Sequence, residues 1–444
     1  MIIEQHYDDE VLIDLLEEAE EDKHVPVCDT CTGTLESFRD LAGALHDDSV
    51  WDERELSATP KPETKNLLRA FAATTKSEDA AAGLIVAKLL AASADERTAL
   101  LDKNPEWLNA GVVRRLLMHV DTINYTDPRA AVEIATFAAQ IAVAIDPALY
   151  RINELAKLRA TALREQAWCL YFVGSFPEAV VALDRADAYL RHCIVSDCDR
   201  AEVQLLRARV YRDQERLEEA IALTRESASV FRLYANRRRA AVADAIQSTV
   251  LVHLRRFSEA LAIDLPIASD MSLDEESRAT ALTRAAYCFR EISAFDEAKV
   301  RYVQAIAVFE RLGLIARRSL ARWGLARVLL DEGRRYDSAL ALFKELRGEF
   351  EELGMGHDIA LVSLDAAETL LALNRPSEVV ELCRGAMEYF GKAGLAYSRS
   401  AMTALAYLRE AAELGTLTPA AVKSVRTFFE ILPKQPHLVF AYPA

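Results

Sequence analysis

Three residues near the start of the chain have the types and spacing to hold a metal. His24, Cys28 and Cys31 stand in "HVPVCDTC" as H-x3-C-x2-C. Zinc takes four nitrogen and sulfur ligands in a tetrahedron, and short loops supply them at such spacings. Pro26 keeps the loop from being regular helix, and Asp29 or Thr30 can cap the helix that follows. Cys31 then falls in a first helical turn, where the dipole favours thiolate. The fourth ligand stays open between His6 at the head of the first helical pattern, His46 after the second, a water and an acid. A thioredoxin-like dithiol lacks a surrounding βαβ pattern, while release of zinc by thiolate oxidation remains an alternative. The cofactor expected is structural Zn2+, holding in shape a segment too short to bury much apolar surface.

The elements that would position these residues are two short helical patterns. "DDEVLIDLLEEAEED" puts Val11, Leu12, Leu15, Leu16 and Ala19 on one face, and "TLESFRDLAGAL" repeats the arrangement after the cysteines. The stretch 51–64, "WDERELSATPKPET", has two prolines and no periodicity and reads as a linker. Positions 1–60 hold 18 acids against Lys23, Arg39 and Arg54, a charge of −15, whereas positions 61–444 hold 51 acids and 50 bases. An acidic head on a neutral body repels nucleic acid and anionic membrane and suits a basic protein surface.

"HYDDEVLIDLLEEAEEDKHVPVCDTC" resembles the zinc-binding anti-sigma factor domain of bacteria, over about residues 4–45. That resemblance implies a small helical zinc bundle that binds a sigma factor. It maps His24, Cys28 and Cys31 onto the family's ligands and His6 onto its first ligand. The gap between the two histidines is shorter here than in the usual form, and the membrane span of many members is missing.

From about residue 65 the chain reads as helix almost to its end, with Gly and Pro falling between periodic segments. Six segments repeat an anchor followed by a small or apolar residue three positions on: "GSFPEAVVALDRA", "ERLEEAIALTRES", "RRFSEALAIDLPI", "SAFDEAKVRYVQA", "RRYDSALALFKEL" and "NRPSEVVELCRGA". The anchors Phe176, Leu217, Phe257, Phe295, Tyr336 and Pro376 recur with a period of about 40 residues. A second marker follows each at one constant offset: Leu190, Phe231, Met271, Phe309, Phe350 and Phe390. Small residues, Ala167, Ala208, Ser248, Ala286, Ala326 and Ala367, precede the anchors by nine or ten. Each unit is a helix hairpin whose apolar faces need its neighbours. The pattern resembles tetratricopeptide repeats with longer helices, over roughly residues 155–395.

The fold class expected is all-α: a zinc-stapled head, then a right-handed α-solenoid of tetratricopeptide-like hairpins. The division is 1–50 for the head, 51–64 for the linker, 65–150 for a helical region with a divergent unit, 151–415 for the repeats, and 416–444 for a capping helix and tail. Arg164, Trp168, Arg209, Arg212, Tyr287, Arg290, Trp323 and Arg327 lie on the first helices of their units. Aligned by repeat, many face the concave side of such arrays and form a candidate basic, aromatic groove for an acidic or extended peptide. Arg237, Arg238 and Arg239 lie between units as a solvated run or a docking patch.

The seven cysteines are odd in number, and all but Cys28 and Cys31 are scattered along helical patterns, so structural disulfides are not expected. No apolar run reaches the ~20 residues of a membrane span, no secretory signal opens the chain, and no enzyme motif is found. The reading is a cytoplasmic, non-enzymatic bacterial regulator. Its head binds a sigma factor or similar basic partner, and its array binds a protein or peptide or docks and gates the head. The alternative is a repeat scaffold or peptide sensor unconnected with transcription.

Overall fold

The computed structural model describes residue 32 and residues 62–124, 126–191, 193–393, 398–432 and 438–441. The zinc reading at His6, His24, Cys28 and Cys31, with His46 and most of the linker, lies outside the described residues. The chain divides into two compact units, Met1–Ser77 and Glu78–Ala444. Of the first, the described part is essentially the opening of one long helix.

Among the described residues the chain is helical and contains no strand. Helix α1 (Pro62–Ala91) and α2 (Ala94–Lys103) lead in, and Ser93 and Glu96 form a reciprocal capping box at the start of α2. Next comes the hairpin α3 (Ala110–Ile123) and α4 (Pro128–Ala144), the divergent unit of the sequence. Six further hairpins follow: α5 (Ile152–Phe172) with α6 (Phe176–Leu190), α7 (Asp197–Asp213) with α8 (Leu217–Leu233), and α9 (Arg237–His253) with α10 (Phe257–Ser269). Then come α11 (Glu275–Glu291) with α12 (Phe295–Arg311), α13 (Ile315–Asp331) with α14 (Tyr336–Glu352), and α15 (Gly356–Ala372) with α16 (Val379–Ala393). Helices α17 (Ser398–Glu413) and α18 (Pro419–Ile431) end the array.

Each second helix packs against its own first helix and against the next first helix, while consecutive first helices also touch, α5 with α7 and on through α13 with α15. The first helices therefore form an inner row. The repeat residues explain this packing. Ala179, Ala220, Ala260, Ala298, Ala339 and Val379, three after the anchors, are all fully buried. So are the small residues before the anchors, which lets helix backbones approach closely. Phe231, Phe309, Phe350 and Phe390 are buried near the ends of their helices, each contributing roughly 1.5–3 kcal/mol through burial.

Met271 departs from its expected place. It is exposed, because α10 ends at Ser269, with Pro266 inside it, and is 13 residues long where α8 and α12 have 17. Pro266 lacks the amide hydrogen and crowds the preceding turn. Leu273, just beyond, is buried against Ile267 and Ala281 in its stead.

The turns within hairpins share one backbone form. Gly174, Glu215, Arg255, Ser293, Gly333 and Asn374 all have positive φ. The amide of Arg216 bonds the carbonyl of Tyr211 and that of Glu215 bonds Arg212, a Schellman closure repeated at Arg256–Leu251 and Ala294–Phe289. Four of these six residues are not glycine, so hairpin geometry, and not local preference, sets the conformation.

The far end is closed differently. Helix α18 packs on α15, and residue Phe440 of the tail is buried beside Phe428. No described helix is long and apolar enough to cross a membrane. Cys169, Cys288 and Cys383 are buried thiols, each pushed up to about 12 by burial first, and so held as unreactive thiol.

Candidate functional site: the inner row of helices

Residues spaced three and four apart on a helix share a face. On α7 that face carries Glu202, Leu205, Leu206, Arg209 and Arg212; on α9 it carries Arg239, Val242 and Ile246; on α5, Arg164, Glu165 and Trp168. All of these except Arg212 line a recess of about 290 Å³ with an apolar floor of Val242 and Ile246 and a polar rim. A second recess, of about 400 Å³, extends across α9 to α11 and α13. Five arginines, Arg209, Arg212, Arg238, Arg284 and Arg317, line it against one acid, Glu276. The two recesses share Arg209, Val242 and Ile246, which makes them one groove along the row.

The structure brings Arg164, Trp168, Arg209 and Arg212 together at this groove. Trp168 stacks on Tyr171 at 5.6 Å between ring centroids, with Phe172 edge-on at 4.8 Å. The Arg209 guanidinium lies 5.7 Å from the Trp168 ring centroid. Arg164 is bonded to Glu165 at 2.8 Å. Arg212 donates to Asp213 at 2.8 Å and to the Tyr171 hydroxyl at 2.9 Å, and Tyr171 in turn donates to Asp213 at 2.8 Å. Burial, the largest single influence, works against the Arg212 charge, but the bonds to and charges of Asp213 and Tyr171 together outweigh it and raise its pKa. Arg239, from the run between units, is ion-paired with Glu202, while Arg237 and Arg238 are exposed.

Arg209 stands apart. Among the described residues no carboxylate forms an ion pair with it. Burial first, then the neighbouring guanidinium of Arg212 and, after an opposing pull from Tyr171, that of Arg239, hold its pKa below the usual arginine value, and the smaller influence of the Asp213 charge does not reverse this.

The other expected groove residues lie further along and are engaged in holding the array together. Arg290 sits over the Tyr287 ring at 4.8 Å, is paired with Glu291, and reaches Asp331 of the next first helix at 3.3 Å. Trp323 donates its indole N–H to Asp365 at 2.5 Å, and Arg327 lies 3.9 Å from the same carboxylate. Arg426 of α18 completes the set on Asp365, which is fully buried. Asp365 was missed from the sequence. Its signal was a lone acid in an otherwise apolar run, "LVSLDAA", on a helix buried on most sides.

No family model and no curated protein matches the chain. Among solved structures, the chain is similar to a Rap protein complexed with competence and sporulation factor, at 14% identity and a TM-score of 0.46, over 77% of this chain and 98% of that one. It is similar to aspartyl phosphate phosphatase F from Bacillus subtilis, at 14% identity and a TM-score of 0.48, over 77% of this chain and 92% of that one. A third is a signal transduction ATPase with a tetratricopeptide repeat sensor from Pyrococcus horikoshii, at 14% identity and a TM-score of 0.49, over 79% of this chain and 55% of that one.

Proposed function

We propose that this chain is a non-enzymatic, protein-binding regulator whose inner row, from α5 to α13, holds an extended segment of a partner protein or a peptide. One observation carries the reading: the joined recesses combine an apolar floor with arginines that outnumber the acids lining them, and one of these, Arg209, has no carboxylate of its own among the described residues. An extended peptide fits a groove across several parallel helices, because each helix meets it at a new residue. The action is occupancy of the partner, with no reaction step.

Panning randomised heptapeptides against the full chain, followed by photo-crosslinking, tests it. Cross-links should fall on α5, α7, α9 and α11. Ala245→Trp, which fills the second recess, should reduce binding at least tenfold. Binders that all cross-link elsewhere would refute the groove.

The narrower reading of the head, a zinc-held domain that binds a sigma factor, rests on the motif of His24, Cys28 and Cys31. Its test is stoichiometric zinc in protein purified without chelator, lost on Cys28→Ser, together with copurification of a sigma factor.

A further inference from the structure

We propose that Arg209, laid beside Trp168 where the two recesses meet, is an anion subsite that takes a carboxylate carried on an extended peptide. This rests on the groove reading above and names the chemistry that the groove selects.

The first argument comes from the other arginines around it. Arg164 has Glu165, Arg207 has Asp184 at 2.6 Å, Arg212 has Asp213, Arg239 has Glu202, and Arg284 has Asp264 at 2.6 Å. Arg209 is the half-buried guanidinium of this cluster with no carboxylate of its own among the described residues. A charge taken largely out of water and left without an opposite partner is unfavourable, and a bound anion removes that cost. The neighbouring guanidinium groups of Arg212 and Arg239 are already paired, with Asp213 and Glu202, which leaves Arg209 as the one to meet an incoming anion.

The second argument concerns which anion fits. Most of the lining comes from the sides of helices, where backbone N–H groups are already bonded, and at the starts of α9 and α11 the amides of Arg239 and Ser277 are capped by Asn236 and Asp274, so the site lacks the cluster of free amides that a phosphate uses. One free, planar guanidinium matches one carboxylate, in the two-pronged arrangement that arginine prefers. The adjoining Val242 and Ile246 floor and the Trp168 ring receive apolar or aliphatic atoms flanking that carboxylate. An acidic side chain, or a chain terminus, within a partly apolar peptide satisfies both.

The heptapeptide binders are selected in two formats against the full chain, one with amidated C-termini and one with free carboxyls. Among binders that cross-link to α5, α7 and α9, one acid should recur. Replacing it by its amide should weaken binding tenfold or more. Arg209→Gln should weaken binding to a similar degree, Arg209→Lys less, with helix content and melting temperature unchanged in both. Loss of the acid and loss of Arg209 should not add, because they remove the same contact. An amidated binder with an internal Asp or Glu identifies a side chain; a requirement for the free-carboxyl format identifies a terminus. Binders that cross-link to the groove but shift less than twofold with either change overturn the subsite and leave the groove standing. Displacement of these binders by millimolar inorganic phosphate overturns the carboxylate assignment. If no binder in either format labels the inner row, the groove reading falls and the subsite with it.

Discussion

The two halves of the inner row are built from the same repeat, yet the half from α5 to α9 leaves a half-buried arginine without a carboxylate among the described residues. Between α11 and α18, charges on first helices reach across to their neighbours: Arg290 to Asp331, Trp323 and Arg327 to Asp365, and Arg426 to Asp365 from the closing helix. Between α5 and α9, Arg239 also reaches across, to Glu202 of α7, and Tyr171 of α5 bonds Asp213 of α7, but Arg164 and Arg212 are paired to the adjacent residue of their own helix, and Arg209 to none among the described residues. Both halves are cross-linked, but the second keeps one guanidinium beside the groove without a carboxylate among the described residues. On the proposal above, the arginine that finds no carboxylate within the array is the one left for recognition.

Breaking the half from α11 to α18 should have the largest effect. Asp365→Asn leaves Arg426 and Arg327 facing a neutral amide and should cost about 3–5 kcal/mol, the range for opening a buried ion pair. Urea unfolding followed by helicity should show a lower midpoint, or a separate early transition for α15 to α18, since repeat arrays can lose cooperativity. A loss below about 1 kcal/mol would make the cross-linking incidental. Next is Gly324→Ala. A methyl at Gly324 would overlap the buried Tyr302 ring, so the two helices must separate, at about 1–3 kcal/mol. The same measurement checks it, and a neutral outcome would show that this half is looser than its packing implies.

The remaining two changes sharpen the contrast at smaller scale. Ser293→Gly, in the turn between α11 and α12, relieves a non-glycine residue at φ 61° and should stabilise by about 1 kcal/mol at most. A loss on substitution would show that Ser293 contributes something other than backbone shape. Arg209→Gln should change stability by no more than about 0.5 kcal/mol, because it removes no ion pair. A cost of about 2 kcal/mol, the scale of a lost charged hydrogen bond, would place Arg209 with the structural arginines and erase the difference between the halves.

The hairpins were legible because burial repeats in register. An alanine or valine three after each anchor and a small residue before it mark backbone contacts that tolerate little else, and a period of about 40 residues makes the pattern conspicuous. Met271 was misplaced because the register was extended through Pro266, whose effect on the helix end is local and unique to that unit. The groove was half legible. Arg209 and Trp168 fall at equivalent positions, but nothing in their spacing tells which arginines are neutralised from the neighbouring helix. Pairing between Arg327 and Asp365, or Arg426 and Asp365, joins residues from different helices and depends on rotamers and superhelical packing, which no short spacing encodes.

The carboxylate of Asp365 also constrains how such a protein can change over generations. Repeat arrays lengthen or shorten readily when each unit meets only its neighbours, since one hairpin can be copied without redesigning the rest. Here a single side chain ties together α13, α15 and α18, so a unit inserted after α15 would carry Arg426 away from its counter-ion and strand a buried charge. Growth and recombination are thereby directed toward the other end of the array, where the groove lies.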